Sequence, residues 1–160
     1  MTYTILRPSN VFGTKMTNQS LRRLIELVKR QLFFYVGRPG AITTYVHVDD
    51  VVAALIICAV EPRAKDQIYN LSSDCILEDI VKHIASLLGV RQPWLRIPEP
   101  LINIPLGLLS SLLKSWVNVP SLNVLLLRTR YPAQKIESEL GFKFSKPLPA
   151  GIEDLVKEFI

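Results

Sequence analysis

The sequence predicts an α/β fold in which strands alternate with helices and the helices serve as crossovers between parallel strands. Two observations carry this expectation. β-rich runs recur at residues 2–6, 43–48 and 67–72, and segments with helical spacing or a continuous apolar run lie between and after them, at 20–30, 51–60 and 76–88. Such alternation favours a layered arrangement with helical connections. The composition, 49% hydrophobic and 21% charged over 160 residues, is that of a globular chain.

Residues 2–6 (Thr-Tyr-Thr-Ile-Leu) form the first predicted strand, and Arg7-Pro8-Ser9-Asn10 is expected to stop it, because proline cannot extend a ladder and Ser and Asn favour turns. From Ser20, the residues Leu21, Leu24, Ile25, Leu27 and Val28 recur on one helical face, with Ser20 as a cap and Arg22, Arg23, Lys29 and Arg30 pointing outward. Phe33 to Val36 is a short apolar run closed by Gly37-Arg38-Pro39-Gly40. Thr43 to Val48 is the next strand, and Asp49 is expected to cap a helix over Val51 to Val60 that is apolar enough to be buried.

Gln67 to Ser72 reads as a strand, and Ile76 to Leu88 as an amphipathic helix, with Gly89 at its left-handed C-terminal position. After it come a short strand at Trp94 to Ile97 and an apolar stretch, Leu101 to Leu127, interrupted by Pro105, Lys114 and Pro120. Those breaks fit two short helices at or near a surface better than a membrane span, which needs roughly 20 continuous apolar residues. The tail reads as a helix over Ala133 to Leu140, stopped by Gly141, and a last helix from Pro149 to Phe159.

The net charge of +5 is spread over helix faces, with no run of more than two basic residues and no nucleic-acid motif, so a nucleic-acid partner is not expected. The two cysteines, Cys58 and Cys75, sit in or beside apolar segments and read as small hydrophobes, which suits a reducing cytoplasm. No metal-ligand spacing occurs, and no secretory signal opens the chain.

Four segments carry a family resemblance. Ile5-Leu6-Arg7-Pro8-Ser9-Asn10-Val11-Phe12-Gly13 resembles the L-R-x-x-N-x-[YF]-G segment of the extended short-chain dehydrogenases, the NAD-dependent epimerase/dehydratase family. Tyr45-Val46-His47-Val48-Asp49-Asp50-Val51-Val52-Ala53-Ala54 is similar to its Y-[VI]-H-V-x-D-[VL]-[VA]-x-A segment. Gln67-Ile68-Tyr69-Asn70-Leu71 resembles its Y-N strand. Lys135 to Phe142 with Pro149-Ala150-Gly151-Ile152 resembles its L-G-[FWY] … P-x-x-G-[IL] tail. The order is the family's own and spans nearly the whole chain.

The resemblance implies the C-terminal part of a Rossmann-like doubly wound sheet with a small, mostly helical substrate-binding subdomain. Residues 1–160 would be one C-terminal region, with 1–90 supplying sheet strands and helices and 91–160 a mainly helical substrate-side and tail segment. In open α/β sheets ligands bind beyond the strand carboxyl ends. Matched residue by residue, Pro8 and Ser9 would border the nicotinamide of NAD or NADP, and Asn10 and Val11 the substrate. An amide offers donor and acceptor without burying a charge. Asp50 is either a first-turn dipole partner or a ligand contact. His47 reads as a satisfied strand histidine rather than a base.

What the 160 residues lack bears on function. They contain no glycine-rich turn after a strand, which dinucleotide binding in this family uses, and no Y-x-x-x-K pair upstream of Arg7. Tyr131-Pro132-Ala133-Gln134-Lys135 spells that pair but falls in the tail, where Pro132 would open a structural helix. No catalytic residue is therefore assigned. The chain is expected not to bind NAD or NADP tightly by itself, and to work with a missing N-terminal dinucleotide-binding half, a small-molecule substrate and further copies of itself.

Nucleotide-sugar enzymes of the family commonly carry an arginine two residues before the tyrosine of the His-Val-x-Asp segment, to grip a diphosphate. Thr43 stands there, leaving Arg38, Arg128 or Arg130 to supply the charge. The apolar Leu101 to Leu127 stretch would instead suit a lipid-like or steroid-like substrate at a membrane surface. A non-enzymatic interaction or oligomerisation module is the other alternative.

Overall fold

A computed structural model describes residues 2–15, 19–99 and 127–160. The Leu101 to Leu127 stretch therefore lies outside the described residues, except for Leu127. The elements in order are strand β1 (Thr4–Pro8), β2 (Asn10–Phe12), helix α1 (Gln19–Lys29), β3 (Tyr35–Val36), β4 (Ile42–His47), α2 (Val48–Val60), a short 3-10 turn (Pro62–Ala64) and β5 (Gln67–Leu71). They continue with β6 (Ser73–Ile76), α3 (Leu77–Leu87), β7 (Arg96–Ile97), α4 (Gln134–Leu140) and α5 (Leu148–Lys157). The mixed α/β class predicted from the sequence is the observed one.

Three small sheets share these strands. β1 runs parallel to β5, β3 parallel to β7, and β4 is flanked by parallel β2 and antiparallel β6. The parallel partners are far apart in sequence, as crossover connections require.

Pro8 corrects the first boundary: it lies within β1, opposite Leu71, rather than stopping the strand. The Ser9 amide donates to the Leu71 carbonyl at 2.9 Å. In a parallel ladder alternate residues face the partner, so Pro8, one position earlier, directs its nitrogen away from β5 and costs that pairing nothing. The chain stays extended through Ser9 and passes into β2, where Asn10 pairs with Tyr45.

Two buried clusters hold the layers. The first joins Phe12 and Tyr45 to Leu21, Ile25 and Val28 of α1, Ile80 and Ile84 of α3, and Leu148, Ile152 and Leu155 of α5. The second joins Val46, Ala54, Tyr69 and Leu71 to Ile136, Leu140 and Phe142. Both draw on residues before and after position 91, so the tail completes cores begun by the first strands. At Gly151 of α5 the helix backbone meets the Phe12 ring so closely that an added Cβ would lie 2.9 Å from Phe12 Cζ.

Helix α3 ends as expected. Gly89 has φ +65°, its amide donates to Ser86 and the Val90 amide to Ala85, so the last carbonyls are satisfied by a left-handed closure. Helix α2 departs from expectation twice. It begins at Val48, and its cap is His47, whose Nδ1 accepts from the Asp49 amide at 3.2 Å; Asp49 sits inside the first turn. It is also far from buried: only Asp50 and Ala54 are enclosed, while Val52, Leu55, Ile56 and Val60 are 50–70% exposed. Apolar composition signals burial only when another element covers every face. Among the described residues no helix is long and apolar enough to cross a membrane.

Candidate functional site

The segment Pro8–Val11 forms one extended run at the carboxyl end of β1. Pro8 and Asn10 are exposed and Ser9 is half-buried. The Ser9 hydroxyl is itself buried and has no hydrogen-bond partner among the described residues. A buried hydroxyl left unpaired carries a desolvation cost that a polar ligand atom would offset. Val11 is half-buried and packs on the second cluster, so its side chain serves the core.

Beside this run, β4 brings His47 opposite Phe12, with the two rings edge to face at 5.1 Å. Burial lowers the His47 pKa from 6.5 and outweighs the opposing Asp49 carboxylate. The ring is thus neutral, and because Nδ1 accepts the cap hydrogen bond, the proton belongs on Nε2. Its position is that of a helix cap, the place expected for Asp49.

Asp50 is fully buried. Its Oδ1 accepts from the Ser145 amide at 2.8 Å and hydroxyl at 2.6 Å, and its Oδ2 from the Lys146 amide at 3.2 Å. The carboxylate thereby ties the loop between α4 and α5 to the start of α2, where the helix dipole also favours a negative charge. Lys146 returns the contact, its ammonium lying 2.9 Å from Asp49. The Lys146 hydrogen bond holds the Asp49 carboxyl below its ordinary value. Sequence reasoning did not single out Ser145 or Lys146; they stand 95 and 96 positions from Asp50, and no local spacing joins them.

Arg38 is exposed on the loop between β3 and β4. Its carbonyl and that of Pro39 accept from the Arg128 guanidinium at 3.0 and 3.3 Å, so two arginines share one loop cluster. No described hydrogen bond or ion pair joins this cluster to Pro8–Val11. Thr43 is buried, its hydroxyl donating to the Cys75 carbonyl at 2.9 Å.

Tyr131 and Lys135 do not form a working pair. Tyr131 is exposed with its amide on Asp74, whereas the Lys135 ammonium donates to Gln67 and lies 5.1 Å from the centre of the Tyr69 ring. Pro132 precedes the Ala133 cap instead of opening α4. Among the described residues, no group of three or more His, Cys, Asp or Glu side chains is placed to hold a metal. For a dinucleotide, Pro8 offers an exposed edge, whereas the Ser9 hydroxyl is buried from solvent. The 160 residues include no glycine-rich turn to take its pyrophosphate.

The model of the NAD dependent epimerase/dehydratase family matches residues 1–72. No curated protein matches the chain. Solved structures do: UDP-glucose 4-epimerase of Thermotoga maritima with UDP-glucose superposes with TM-score 0.64 and 19% identity, covering 99% of this chain and 46% of that one. UDP-glucuronic acid 4-epimerase of Bacillus cereus with UDP-glucuronic acid and NAD gives TM-score 0.64 and 14% identity over 98% and 46%. RMD of Pseudomonas aeruginosa with NADPH gives 0.58 and 15% over 97% and 47%. The chain thus spans about half the length of these proteins, and at such identities the likeness is one of fold. Residues 1–72, which hold Pro8–Val11, His47–Asp50 and strands β1 to β5, match the model of the NAD dependent epimerase/dehydratase family, and the described residues together resemble a Rossmann-like epimerase fold.

Proposed function

We propose that this chain is the substrate-side half of an NAD(P)-dependent epimerase, dehydratase or reductase acting on a nucleotide-sugar, and that it is not catalytically competent alone. The observation that carries the reading is the extended run Pro8-Ser9-Asn10, whose Pro8 and Asn10 are exposed at the carboxyl end of a parallel strand within the segment that matches the family. There a ligand meets main chain and short polar side chains. Ser9 and Pro8 would border the nicotinamide, and Asn10 would hydrogen-bond the sugar. Arg38 and Arg128, both exposed on neighbouring loops, would supply charge to the diphosphate in place of an arginine at Thr43. The glycine-rich turn and the tyrosine–lysine acid/base pair would come from an N-terminal dinucleotide-binding half. That two of the similar solved structures hold UDP-sugars favours this substrate class.

Titration with UDP-glucose followed by amide NMR tests the reading. Shifts should centre on Ser9, Asn10 and Arg38, and Asn10→Ala should weaken binding about tenfold, the worth of one or two hydrogen bonds. Calorimetry with NAD should give no measurable heat. Tight NAD binding by the chain alone, or UDP-glucose shifts centred elsewhere, would overturn the proposal.

A further inference from the structure

The geometry points to Glu78 and Arg96 as positioning residues that clamp the loop Gly37–Gly40 and so hold the exposed Arg38 in place for a phosphate-bearing ligand. This inference deepens the reading above and rests on it only for the identity of that ligand as a nucleotide-sugar.

The loop between β3 and β4 is tied at each of its four residues. The Gly37 amide donates to the Ile97 carbonyl at 2.9 Å, and the Gly37 carbonyl accepts from Arg96 Nη1 at 3.1 Å. The Arg38 and Pro39 carbonyls accept from Arg128. The Gly40 amide faces both carboxylate oxygens of Glu78 at 3.3 Å. Arg128 is brought there by its neighbour, because the Ile42 amide donates to the Leu127 carbonyl at 2.8 Å. Gly37 and Gly40 open and close the loop with φ +63° and +90°, a left-handed backbone that suits glycine. One side chain of the loop is left over. Arg38 is exposed, and its guanidinium has no hydrogen bond or ion pair among the described residues.

Charge sets the class of ligand. The guanidinium groups of Arg38, Arg96 and Arg128 gather at this loop with the Glu78 carboxylate. Glu78 neutralises Arg96 at 2.7 Å, whereas Arg128 bonds the uncharged carbonyls of Arg38 and Pro39. Arg38 and Arg128 therefore keep their charge uncompensated among the described residues, an arrangement that suits a diphosphate. Arg96 is not free to join them. One arm holds Gly37, another holds Glu78, and the group lies 4.7 Å from the centre of the Tyr35 ring. Glu78 stands in the first turn of α3, where the helix dipole favours a carboxylate, and its side chain is 16% exposed. The clamp is thus anchored on a helix and a strand, and a loop held before its ligand arrives loses less freedom on binding.

The sign of one effect separates positioning from simple electrostatics. Glu78 is a negative charge beside an anion site, so by Coulomb repulsion alone its removal would tighten anion binding. As a positioning residue, its removal releases Gly40 and Arg96 and weakens binding.

The test titrates the full chain with inorganic pyrophosphate and follows amide NMR shifts in wild type, Arg38→Ala, Glu78→Gln, Arg96→Lys and the combined Arg38→Ala/Glu78→Gln variant. Shifts should centre on residues 37–41. Glu78→Gln should weaken binding about five- to tenfold, the scale of one side chain or short loop that the ligand must now order. Arg96→Lys keeps the charge but cannot hold Gly37 and Glu78 in one fork, and should weaken binding to a similar degree. It decides the matter alone if Glu78→Gln does not fold. In the Arg38→Ala background Glu78→Gln should cost less than about twofold, because the group being positioned is gone. Unchanged or tighter binding in Glu78→Gln and Arg96→Lys, equal losses with and without Arg38, or shifts centred away from the loop overturn the clamp. If UDP-glucose still shifts Ser9 and Asn10 after such a result, the nucleotide-sugar reading stands without it. A pyrophosphate site that depends on Glu78, with no UDP-glucose shifts at Ser9 and Asn10, upholds the clamp and removes the nucleotide-sugar reading instead.

Discussion

Asp50 and Ser145 are joined by two hydrogen bonds to one carboxylate oxygen, at 2.8 and 2.6 Å, and this contact fixes the tail of the chain to the helix that follows β4. The second oxygen holds the Lys146 amide. Asp50→Asn keeps the shape but removes the charge and turns one acceptor into a donor facing a donor. Hydrogen bonds to charged groups contribute about 1.5–3 kcal/mol, and a buried amide left unpaired costs about 1–3. Urea unfolding of Asp50→Asn should show a loss of about 2–4 kcal/mol, with amide exchange accelerated at Ser145 and Lys146. A loss under 0.5 kcal/mol would mean that the tail is held by its apolar contacts alone.

His47 makes stability depend on pH in a defined direction. Its folded pKa lies below the ordinary 6.5 because burial disfavours the charged ring. At neutral pH both folded and unfolded states hold it neutral. As pH falls through 6.5 the unfolded chain takes up a proton first, so stability drops until the folded pKa is passed. His47→Asn retains an acceptor for the Asp49 amide but cannot titrate. The wild-type chain should therefore lose stability between pH 7 and 5, and the variant should lose less over the same interval. Denaturant midpoints at the two pH values decide it; parallel losses would remove His47 as the source.

Gly151 opposes two effects of known size. Alanine is favoured over glycine within a helix by about 1 kcal/mol. Here the added Cβ would stand 2.9 Å from Phe12 Cζ and 3.2 Å from the Lys146 carbonyl oxygen. Phe12 is 1% exposed and packed edge-on by Tyr45 and His47, so the ring has no free direction of retreat. Overpacking of this kind costs about 1–3 kcal/mol. Gly151→Ala should be destabilising by about 1 kcal/mol net, with altered ring-current shifts around Phe12. A stabilised variant would show that α5 can slide away without loss.

The alternation of apolar runs with turn and cap residues made most strands and helices legible, because local periodicity reports the face an element buries. The failures share a cause. β6 is not legible in the sequence because Ser73-Asp74-Cys75-Ile76 has no strand composition; it is ordered by pairing with β4, and its Thr43–Cys75 hydrogen bond reaches a strand residue 32 positions earlier. Pro8 was read as a stop because a proline cannot reveal which edge its nitrogen faces. The apolar content of α2 could not tell burial within this chain from a face left open. Pro8, Ser9 and Asn10 are singled out by the family resemblance alone, and the structure sets them as one run at the carboxyl end of β1. The sequence leaves Asp50 between two roles, and its bonds to Ser145 and Lys146 depend on a contact no sequence spacing encodes.

Glu78 and Arg96 offer a final measurable link, between the first turn of α3 and β7. Their side chains meet at 2.7 Å, the Glu78 carboxylate also accepts from the Gly40 amide, and the Arg96 guanidinium lies 4.7 Å from the centre of the Tyr35 ring. Burial works to raise the Glu78 pKa, but the hydrogen bonds from Arg96 and the backbone outweigh it, so the carboxyl stays below its ordinary 4.5. A depressed carboxyl stabilises the fold above its unfolded pKa, and that contribution is lost as pH falls through the folded value. Glu78→Gln should therefore lower stability by about 1–2 kcal/mol at pH 7, the scale of a partly buried charged hydrogen bond. The gap to wild type should narrow as pH falls below 4.5, where the unfolded chain takes up the proton first, and close below the folded value. Thermal unfolding at pH 7 and pH 4 measures both, and a gap that stays constant would assign the loss to packing rather than charge.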